Sequence, residues 1–383
     1  MLPPRQLATA LLVVLAAGAA CDDRDLPPLP PSPPASSGGD IFTAQDGTRF
    51  GVETVVSNVE IPWSLAFAPD GRLFFTERPG RVRVVQNGQL LPDPMLVLTD
   101  VAAVGESGAL GLAVHPQFAD NHFVYLAYTA MRPDGSRENR IVRYREVGNT
   151  LGEPAVILDG INAADIHDGA RLRFGPDGRL YVTMGDVASP PVAQDLASFN
   201  GKLLRLNDDG SVPADNPFSS HVLSYGHRNP QGLDWHPVSG ELWATEHGQE
   251  GNDELNRIVA GANYGWPEIE ANQTRPGMEP PVLYFTPAVA PSGASFYTGA
   301  AIPGFRNDLF IATLRGQHLH RVRFDPANPE RIIATERLLL ERFGRIRDVV
   351  TGPDGALYFC TSNRDGRADP SPEDDRILRI VAR

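Results

Sequence analysis

The stretch that decides the fold is a turn followed by a strand, and it occurs three times almost unchanged: FAPDGRLFFTE at residues 67–77, FGPDGRLYVTMGD at 174–186 and TGPDGALYFCTS at 351–362. In each copy a Pro-Asp-Gly turn stands between apolar residues that alternate with a period near two, which is typical of a β-hairpin. No long segment shows the 3.6-residue period of an amphipathic helix. Three looser copies complete the series: VHPQFADNHFVYLAYT (114–129), WHPVSGELWATEHG (235–248) and GFRNDLFIATL (304–314).

Six copies of one hairpin predict a repeat architecture. Spread over residues 41–383, they leave about 57 residues for each unit, which suffices for a four-stranded sheet and its loops. One open sheet of that many strands would have to curl or split, whereas six small sheets packed radially expose few edges. We therefore expect residues 41–383 to form an all-β, six-bladed β-propeller. A β-sandwich is the alternative, but it does not require six similar hairpins.

The composition indicates a turn-rich globular protein and excludes several other classes. Glycine and proline number 37 and 35 among 383 residues, and 42% of the residues are hydrophobic, which suffices for a substantial core. The 47 acidic and 34 basic residues give a net charge of −13, which argues against general nucleic-acid binding. Two cysteines exclude a disulfide scaffold, and Cys360 is expected to be a small buried residue of a core strand.

The N-terminal segment has the pattern of an export signal. Residues 7–20 form an apolar run that is short for a membrane span and ends in small residues, so residues 1–20 are expected to be a signal peptide. Cys21 directly follows Gly-Ala-Ala, as in a bacterial lipobox, although a glycine stands where an aliphatic residue is usual. Residues 21–40 are rich in proline and then in serine and glycine, and they predict a lipid anchor with an extended linker. We expect a periplasmic protein tethered at Cys21, with simple cleavage and release as the alternative.

Several segments outside the turns are rich in His, Arg and Asp next to glycines. They are HDGARLRFGPDGRLYVTMGD (167–186), SYGHRNPQG (224–232), ATEHGQEGNDELNRIVAGANYGWP (244–267) and GRIRDV (344–349). In this order, and together with GESGALGLAVHP (105–116), they resemble the soluble quinoprotein glucose/sorbosone dehydrogenase family, in particular its periplasmic aldose sugar dehydrogenases. The resemblance runs from about residue 55 to the C-terminus. It implies a six-bladed propeller that binds pyrroloquinoline quinone (PQQ) and oxidises the anomeric carbon of an aldose to a lactone.

The resemblance assigns catalytic and cofactor-binding roles to particular residues. His167 matches the base that takes the proton of the sugar hydroxyl, and Asp186 matches the carboxylate that orients this histidine. Arg228 and Asn229 match the pair that contacts the cofactor, with Arg228 also stabilising negative charge at the quinone oxygen. Because guanidinium groups suit the carboxylates of PQQ, further cofactor contacts are expected from three other arginines, and from a glutamate where the family often has glutamine. These residues are Arg315, Arg345, Arg347 and Glu106.

Calcium is the second cofactor that the resemblance implies. It places one ion beside PQQ, on the backbone carbonyls of Gly248 and Gln249, and a structural ion on the Glu254 carboxylate and the Tyr264 carbonyl. Oxygen ligands suit this hard cation. His247 has no second histidine at ligand spacing, which disfavours a transition-metal site.

Three classes of function remain open from the sequence. The leading one is a PQQ- and calcium-dependent aldose dehydrogenase. The second is a calcium-dependent lactonase on the same fold, which needs a metal cage of Asp, Glu and Asn and no arginine cluster. The third is a non-catalytic propeller that binds a glycan or a protein. The arginines and the pair His167 and Asp186 favour the dehydrogenase, whose partners would be an aldose and a separate electron acceptor, either a quinone or a redox protein, since no haem motif is present.

Overall fold

The computed structural model describes residues 40–249 and 251–383, and these residues form six small antiparallel sheets. The predicted signal peptide and nearly all of the predicted linker lie outside the described residues. Within the described part the helical segments are short: α1 (Phe118–Asn121) and three 3-10 turns at Pro190–Gln194, Pro217–Ser219 and Pro303–Phe305. No helix among these residues is long and apolar enough to cross a membrane.

The described chain begins with two strands that belong to the last sheet, and the first three blades follow in order. The first strands are β1 (Ile41–Thr43) and β2 (Arg49–Val56). Blade 1 contains β3 (Pro62–Phe67), β4 (Leu73–Glu77), β5 (Arg81–Gln86) and β6 (Gln89–Leu90), with β7 (Leu96–Val97) paired to β5. Blade 2 contains β8 (Ala109–Val114), β9 (Phe123–Met131), β10 (Arg137–Val147) and β11 (Thr150–Asn162). Blade 3 contains β12 (Leu172–Phe174), β13 (Leu180–Met184), β14 (Lys202–Leu206) and β15 (Val222–Tyr225).

The second half of the chain forms the other three blades. Blade 4 contains β16 (Pro230–Trp235), β17 (Leu242–Glu246), β18 (Asp253–Ile258) and β19 (Leu283–Phe285). Blade 5 contains β20 (Pro291–Phe296), β21 (Leu309–Thr313), β22 (Leu319–Asp325) and β23 (Asn328–Leu338). Blade 6 contains β24 (Ile346–Thr351), β25 (Leu357–Thr361) and β26 (Ile377–Ala382), and its sheet continues through β2 to β1.

Blade 6 closes the ring by joining the two ends of the described chain. Strand β2 pairs antiparallel with β26, from Phe50 opposite Ala382 to Val56 opposite Ile377. Blade 6 is thus the one described blade whose sheet combines strands from both ends of the described chain.

The six hairpins predicted from the sequence join the two innermost strands of the six blades, one hairpin to each blade. The prediction of a six-bladed β-propeller is therefore confirmed. Strands β4 and β13 are buried along their whole length because each blade packs between two neighbours. This is why their sequences are apolar almost throughout rather than strictly alternating. Cys360 on β25 is fully buried, as predicted.

The central channel contains a buried ion pair beneath an aromatic ring. Arg171 donates from Nη1 to Asp348 Oδ2 at 3.0 Å, and its guanidinium lies 4.1 Å from the ring centre of Trp63. Arg347 lies 5.8 Å from the same ring centre. The channel is thus polar along its axis, whereas the interfaces between blades hold the apolar core.

Candidate active site

Polar loops of several blades come together at one end of the channel. Because adjacent strands are antiparallel, the loop before the first strand of a blade and the loop after its second strand lie on the same face. We call this face the mouth of the channel. It carries the residues singled out in the sequence, although they are far apart in the chain: His167 and Asp186 flank the first hairpin of blade 3, and Arg228 precedes β16.

His167 and Asp186 form a buried hydrogen-bonded pair. His167 Nδ1 lies 2.7 Å from Asp186 Oδ1, and the same carboxylate accepts the Ala188 N–H at 2.9 Å and the indole N–H of Trp266 at 2.8 Å. Since the carboxylate can only accept at this distance, the imidazole proton is on Nδ1 and Nε2 carries the lone pair. No described residue hydrogen-bonds to Nε2. The pair therefore offers a base whose ring orientation is fixed by Asp186, which two further donors hold in place.

The backbone around His167 is held in an uncommon conformation. His167 has φ of 62°, in the left-handed region that costs free energy for a residue with a side chain. Its carbonyl oxygen lies against the strand end that carries Gly185, where a Cβ atom would stand 2.0 Å from that oxygen. Asp186 N–H donates to Arg228 O at 2.8 Å, which ties blade 3 to blade 4. The close approach at Gly185 is what allows Asp186 to reach the imidazole.

Glu106 connects the His167 loop to blade 6. Its Oε2 accepts the backbone N–H of His167 at 3.0 Å, and its Oε1 accepts Arg367 Nη1 at 3.2 Å. Burial alone would raise the pKa of Glu106, but the charge of Arg367 and the hydrogen bond from the His167 backbone help to lower it to about 2. Arg367 thus balances the carboxylate that the sequence places where glutamine is common.

Arg345 and Arg347 meet at a carboxylate of the protein itself. Arg345 Nε lies 3.0 Å and Arg347 Nη2 lies 3.9 Å from Asp365 Oδ2, and the backbone N–H of Arg367 donates to Asp365 Oδ1 at 3.0 Å. Burial, partly offset by Asp365, lowers the pKa of Arg347 to about 10. Burial also lowers the pKa of Arg78, which donates to Gly105 O and is close enough to Asp365 to feel its charge.

This group of charges, which we call the mouth cluster, has an excess of cations. It contains the guanidinium groups of Arg78, Arg345, Arg347 and Arg367 and the carboxylates of Glu106 and Asp365. Two donors at the mouth, Arg347 Nε and Asn229 Nδ2, are buried without a hydrogen-bond partner. Buried donors of this kind normally have an acceptor, so the cluster and these atoms fit a ligand that carries several anionic oxygens.

Arg228 and Asn229 lie between the His167 pair and the loop after β17. Arg228 Nη1 donates to His247 O at 3.2 Å, and the guanidinium lies 5.5 Å from the ring centre of Trp266. The backbone N–H of Arg228 donates to Glu246, whose other carboxylate oxygen lies 2.9 Å from His227 Nδ1. Trp266 therefore contacts both the residue that orients the base and the arginine beside it.

The four residues assigned to calcium lie in blade 4 and the loops next to it. Glu254 is buried beside Glu246, and its described partners are the Asn256 amide at 3.2 Å and the Ala271 N–H at 3.2 Å. Burial, and then the charge of Glu246, raise the pKa of Glu254 to about 8. Two adjacent carboxylates with no arginine between them have the oxygen donors that calcium prefers.

The other calcium residues differ in their surroundings. Gly248 donates its N–H to Asp253 Oδ1 at 3.1 Å, and Gln249 O accepts the Asn252 N–H at 3.2 Å. Tyr264 stacks on His227, with ring centres 4.7 Å apart. The described residues contain no group of three or more His, Cys, Asp or Glu side chains arranged to hold a metal ion.

Arg315 lies in the loop after β21, on the mouth face of the propeller, and it lines a cavity between blades 4 and 5. Its contact with the cofactor, which the resemblance implies, stays a prediction.

Comparison with known proteins places the chain in a family. A family model described as glucose/sorbosone dehydrogenase matches residues 59–378. The chain belongs to this family. It is 35% identical to the aldose sugar dehydrogenase YliI of Escherichia coli over 82% of this chain and 91% of the relative, and 28% identical to quinoprotein glucose dehydrogenase B of Acinetobacter calcoaceticus over 85% and 88%. The PQQ-bound structure of an aldose sugar dehydrogenase from Streptomyces coelicolor superposes with a TM-score of 0.77 at 35% identity, covering 87% of this chain and 98% of the other.

Membership in the glucose/sorbosone dehydrogenase family confirms the resemblance and identifies the chain as a dehydrogenase. It does not by itself name the residues at the mouth. Four residues at the mouth were not predicted from the sequence: Trp266, Arg78, Arg367 and Asp365. Trp266 lies inside a motif that the resemblance already included, NYGWP, so it could have been found there. The other three carry no local signal, because their side-chain partners are distant in the sequence: Arg78 donates to Gly105 O, Arg367 to Glu106, and Asp365 pairs with Arg345.

Proposed function

We propose that this protein oxidises the anomeric carbon of an aldose to a lactone, with PQQ as the hydride acceptor and His167 as the base. The observation that carries the proposal is the buried His167–Asp186 pair, whose Nε2 is available beside a cluster of buried guanidinium groups. A cluster of arginines at the mouth also argues against the lactonase alternative, whose metal cage requires carboxylates and amides.

The residues of the mouth fit PQQ, a flat tricarboxylate. Arg345, Arg347 and Arg228 provide guanidinium groups, and Asn229 Nδ2 and Arg347 Nε provide donors that lack partners. Asp365 holds two of these arginines in place while leaving the cluster with a positive excess. When bound, the cofactor supplies a quinone that accepts the hydride from the C1–H bond of the sugar.

The residues of this chain would perform the proton transfer. His167 Nε2 takes the proton of the anomeric hydroxyl while the C1–H pair leaves as hydride, so that a C–O double bond forms at C1. Asp186 keeps the imidazole in the tautomer that can accept this proton and stabilises the cation that results. Trp266 and the Ala188 N–H hold Asp186 in turn.

Calcium is the second part of the proposal. The carbonyls of Gly248 and Gln249 would hold one ion, which would supply Lewis-acid chemistry to the cofactor, and Glu254 with the Tyr264 carbonyl would hold a structural ion. The pair of buried carboxylates, Glu254 and Glu246, supports a structural cation, since burial leaves their repulsion weakly screened.

Reconstitution tests the proposed function directly. Purified protein is mixed with PQQ and CaCl₂, the uptake of PQQ is followed by absorbance, and turnover is measured with glucose and a redox dye. We expect stoichiometric uptake that needs calcium, and dye reduction that needs both cofactors and sugar. Absence of PQQ uptake overturns the proposal, whereas uptake without turnover of any aldose supports the non-catalytic alternative.

We also propose that the protein is exported and tethered by a lipid at Cys21, and that a separate quinone or redox protein takes the electrons. The support is the apolar run before Cys21 and the proline-rich segment after it. Expression of the wild type and of Cys21→Ser in a bacterial host, followed by membrane fractionation, tests this. Wild-type protein is expected in the membrane fraction and the variant outside it; equal distribution contradicts the anchor.

A further inference from the structure

The residue that follows the proposed base, Asp168, is a buried carboxyl group without a role in the proton transfer described above. It is 1% exposed. It belongs to the loop before β12, in which His167, Gly169 and Ala170 have φ of 62°, 63° and 69°. For a residue with a side chain this conformation costs free energy, so it persists only where neighbouring contacts hold it. The contacts of Asp168 therefore help to fix the backbone that carries His167.

Asp168 joins its loop to blade 2 through both of its carboxyl oxygens. Oδ1 accepts the side-chain amide of Asn139 on β10 at 2.9 Å and the backbone N–H of Ala164, in its own loop, at 3.2 Å. Oδ2 lies 2.6 Å from the hydroxyl oxygen of Ser107, which is in the loop before β8. The carboxyl group is thus a junction between two loops at the mouth.

The Ser107 hydroxyl has two partners but only one proton. Its oxygen lies 2.6 Å from Asp168 Oδ2 and 2.6 Å from the carbonyl oxygen of Ala164. A carbonyl oxygen can only accept a hydrogen bond, and the same holds for an ionised carboxylate. Since both contacts have the length of a hydrogen bond, each needs a proton, and the second proton must come from the carboxyl group. In this arrangement Asp168 donates to Ser107, and Ser107 donates to Ala164.

The surroundings of Asp168 favour its neutral form. Burial raises its pKa to about 6, and the negative charge of Glu106 acts in the same direction, against the hydrogen bonds that the carboxyl group accepts. The titratable and charged groups of the elements packed around it are Glu106 with its partner Arg367, Arg137 with its partner Asp165, and His167 with its partner Asp186. Because both arginines pair with other carboxylates, burial decides the protonation of Asp168.

We propose that Asp168 is a positioning residue for His167 and that it acts as a neutral carboxylic acid, with its proton donated to Ser107. The neutral form completes the chain of hydrogen bonds from Asp168 through Ser107 to Ala164, which closes the loop on itself and on blade 2. Ionisation leaves Ser107 with one proton for two acceptors, so one contact opens and the loop is held less firmly. The proposal rests on the proposed function for the role of His167 as the base.

Thermal unfolding of the protein without added PQQ tests the protonation state. In Asp168→Asn the amide oxygen accepts from Asn139 and the amide nitrogen donates to Ser107 at every pH. Since folding raises the pKa of Asp168 from 3.8 to about 6, the wild type loses stability as the pH rises through about 6, whereas this variant does not. We therefore expect the Tm of Asp168→Asn relative to wild type to rise between pH 5 and pH 8. Asp165→Asn, which changes an exposed carboxylate of the same loop, is the matched control and should show no such rise.

Infrared difference spectra of the same two proteins detect the proton directly. The spectrum of wild type minus that of Asp168→Asn should contain the C=O stretch of a protonated carboxylic acid at pH 5. This band should fade as the pH rises towards 8. Absence of the band at pH 5, or a Tm difference that stays constant or falls with pH, overturns the proposal.

Activity of the reconstituted enzyme tests the positioning role. Asp168→Ala removes every contact of the carboxyl group and should lower kcat/KM about 100-fold, as for a misplaced base, while PQQ uptake is unchanged. Asp168→Asn should remain close to wild type, and equal losses in the two variants overturn the proposal. Ser107→Ala takes the place of Asp168→Ala if the latter does not fold, and it should lower kcat/KM in the same way. Wild-type protein that binds PQQ without turnover contradicts the proposed function, whereas the infrared and unfolding measurements decide the state of Asp168 independently.

Discussion

Asp186 accepts hydrogen bonds from three donors, and each donor belongs to a different part of the chain: the imidazole of His167, the backbone of Ala188 and the indole of Trp266. This convergence explains how one carboxylate can fix both the tautomer and the orientation of the histidine. Proton transfer and cofactor binding therefore depend on different residues, because neither His167 nor Asp186 belongs to the arginine cluster that would hold the cofactor.

Variants of the pair should therefore lose turnover without losing the cofactor. We expect His167→Ala to abolish dye reduction while PQQ remains bound, since the base is removed and the guanidinium groups are not. Asp186→Asn should lower kcat by about 100- to 10,000-fold, because an amide can present its NH₂ group to Nδ1 and favour the wrong tautomer. Stopped-flow reduction and PQQ absorbance measure the two effects, and Asp93→Asn, an exposed aspartate, is the matched control. Joint loss of PQQ and turnover in His167→Ala would contradict this assignment.

Glu106 should contribute to the stability of the protein at neutral pH and not in strong acid. Its pKa is about 2 when folded, below its ordinary value of 4.5, so the stabilisation is present above pH 4.5 and is lost as the pH falls from 4.5 towards 2. We expect Glu106→Gln to lower Tm at pH 7 because the Glu106–Arg367 ion pair is then lost. The difference in Tm from wild type should shrink between pH 5 and pH 3. Thermal unfolding across this range measures it, and a difference that stays constant would contradict the Glu106–Arg367 pairing.

At the scale of elements, the hairpins were predictable and the loops that join blades were not. A Pro-Asp-Gly turn with alternating apolar residues is a local signal, so each copy could be identified without knowledge of the others. Asp365 and Arg367 follow β25 in a segment without a comparable signal. Asp365 meets Arg345 and Arg347 within blade 6, and Arg367 reaches Glu106 in the loop before β8. Arg315 lies in the loop after β21, on the mouth face, and its contact with the cofactor stays a prediction.

The end of β13 illustrates how an element positions a catalytic group. Gly185 lies where a Cβ would be 2.0 Å from His167 O and 2.9 Å from Asn229 Oδ1, so a methyl group there must displace the His167 loop. We expect Gly185→Ala to lower kcat/KM at least about 100-fold, the cost of misplacing a reacting group by about 1 Å, while far-UV circular dichroism stays that of an intact propeller. Gly152→Ala is the control, since its Cβ would meet no atom within 4 Å and its φ is ordinary. Equal activity of both variants would mean that the close approach has no functional role.

In the whole molecule, the sheet of blade 6 is completed by β1 and β2, two strands that lie outside the six hairpin repeats. Strand β2 adds to β26, and its Phe50 is buried against Phe305 of the blade 5 hairpin, with ring centres 5.5 Å apart. The repeat count predicted six blades, but the sequence offered no signal for which strands would complete the last one. This pairing joins residues more than 300 positions apart, so closure is a property of the complete chain.

Each blade packs against two neighbours, and the pairing of β2 with β26 completes the ring. A destabilising substitution in β2 should therefore lower the stability of all six blades and not of blade 6 alone. We expect Phe50→Ala to cost about 3–5 kcal/mol, as for other buried phenylalanines, and at about 2–4 °C per kcal/mol to lower Tm by about 10 °C. Differential scanning calorimetry should show one transition, moved as a unit, for the variant. Ile41→Ala on the exposed side of β1 is the control and should change Tm little. A separate early transition in Phe50→Ala would show that blade 6 can open while the other five remain folded, and that the ring is not a single cooperative unit.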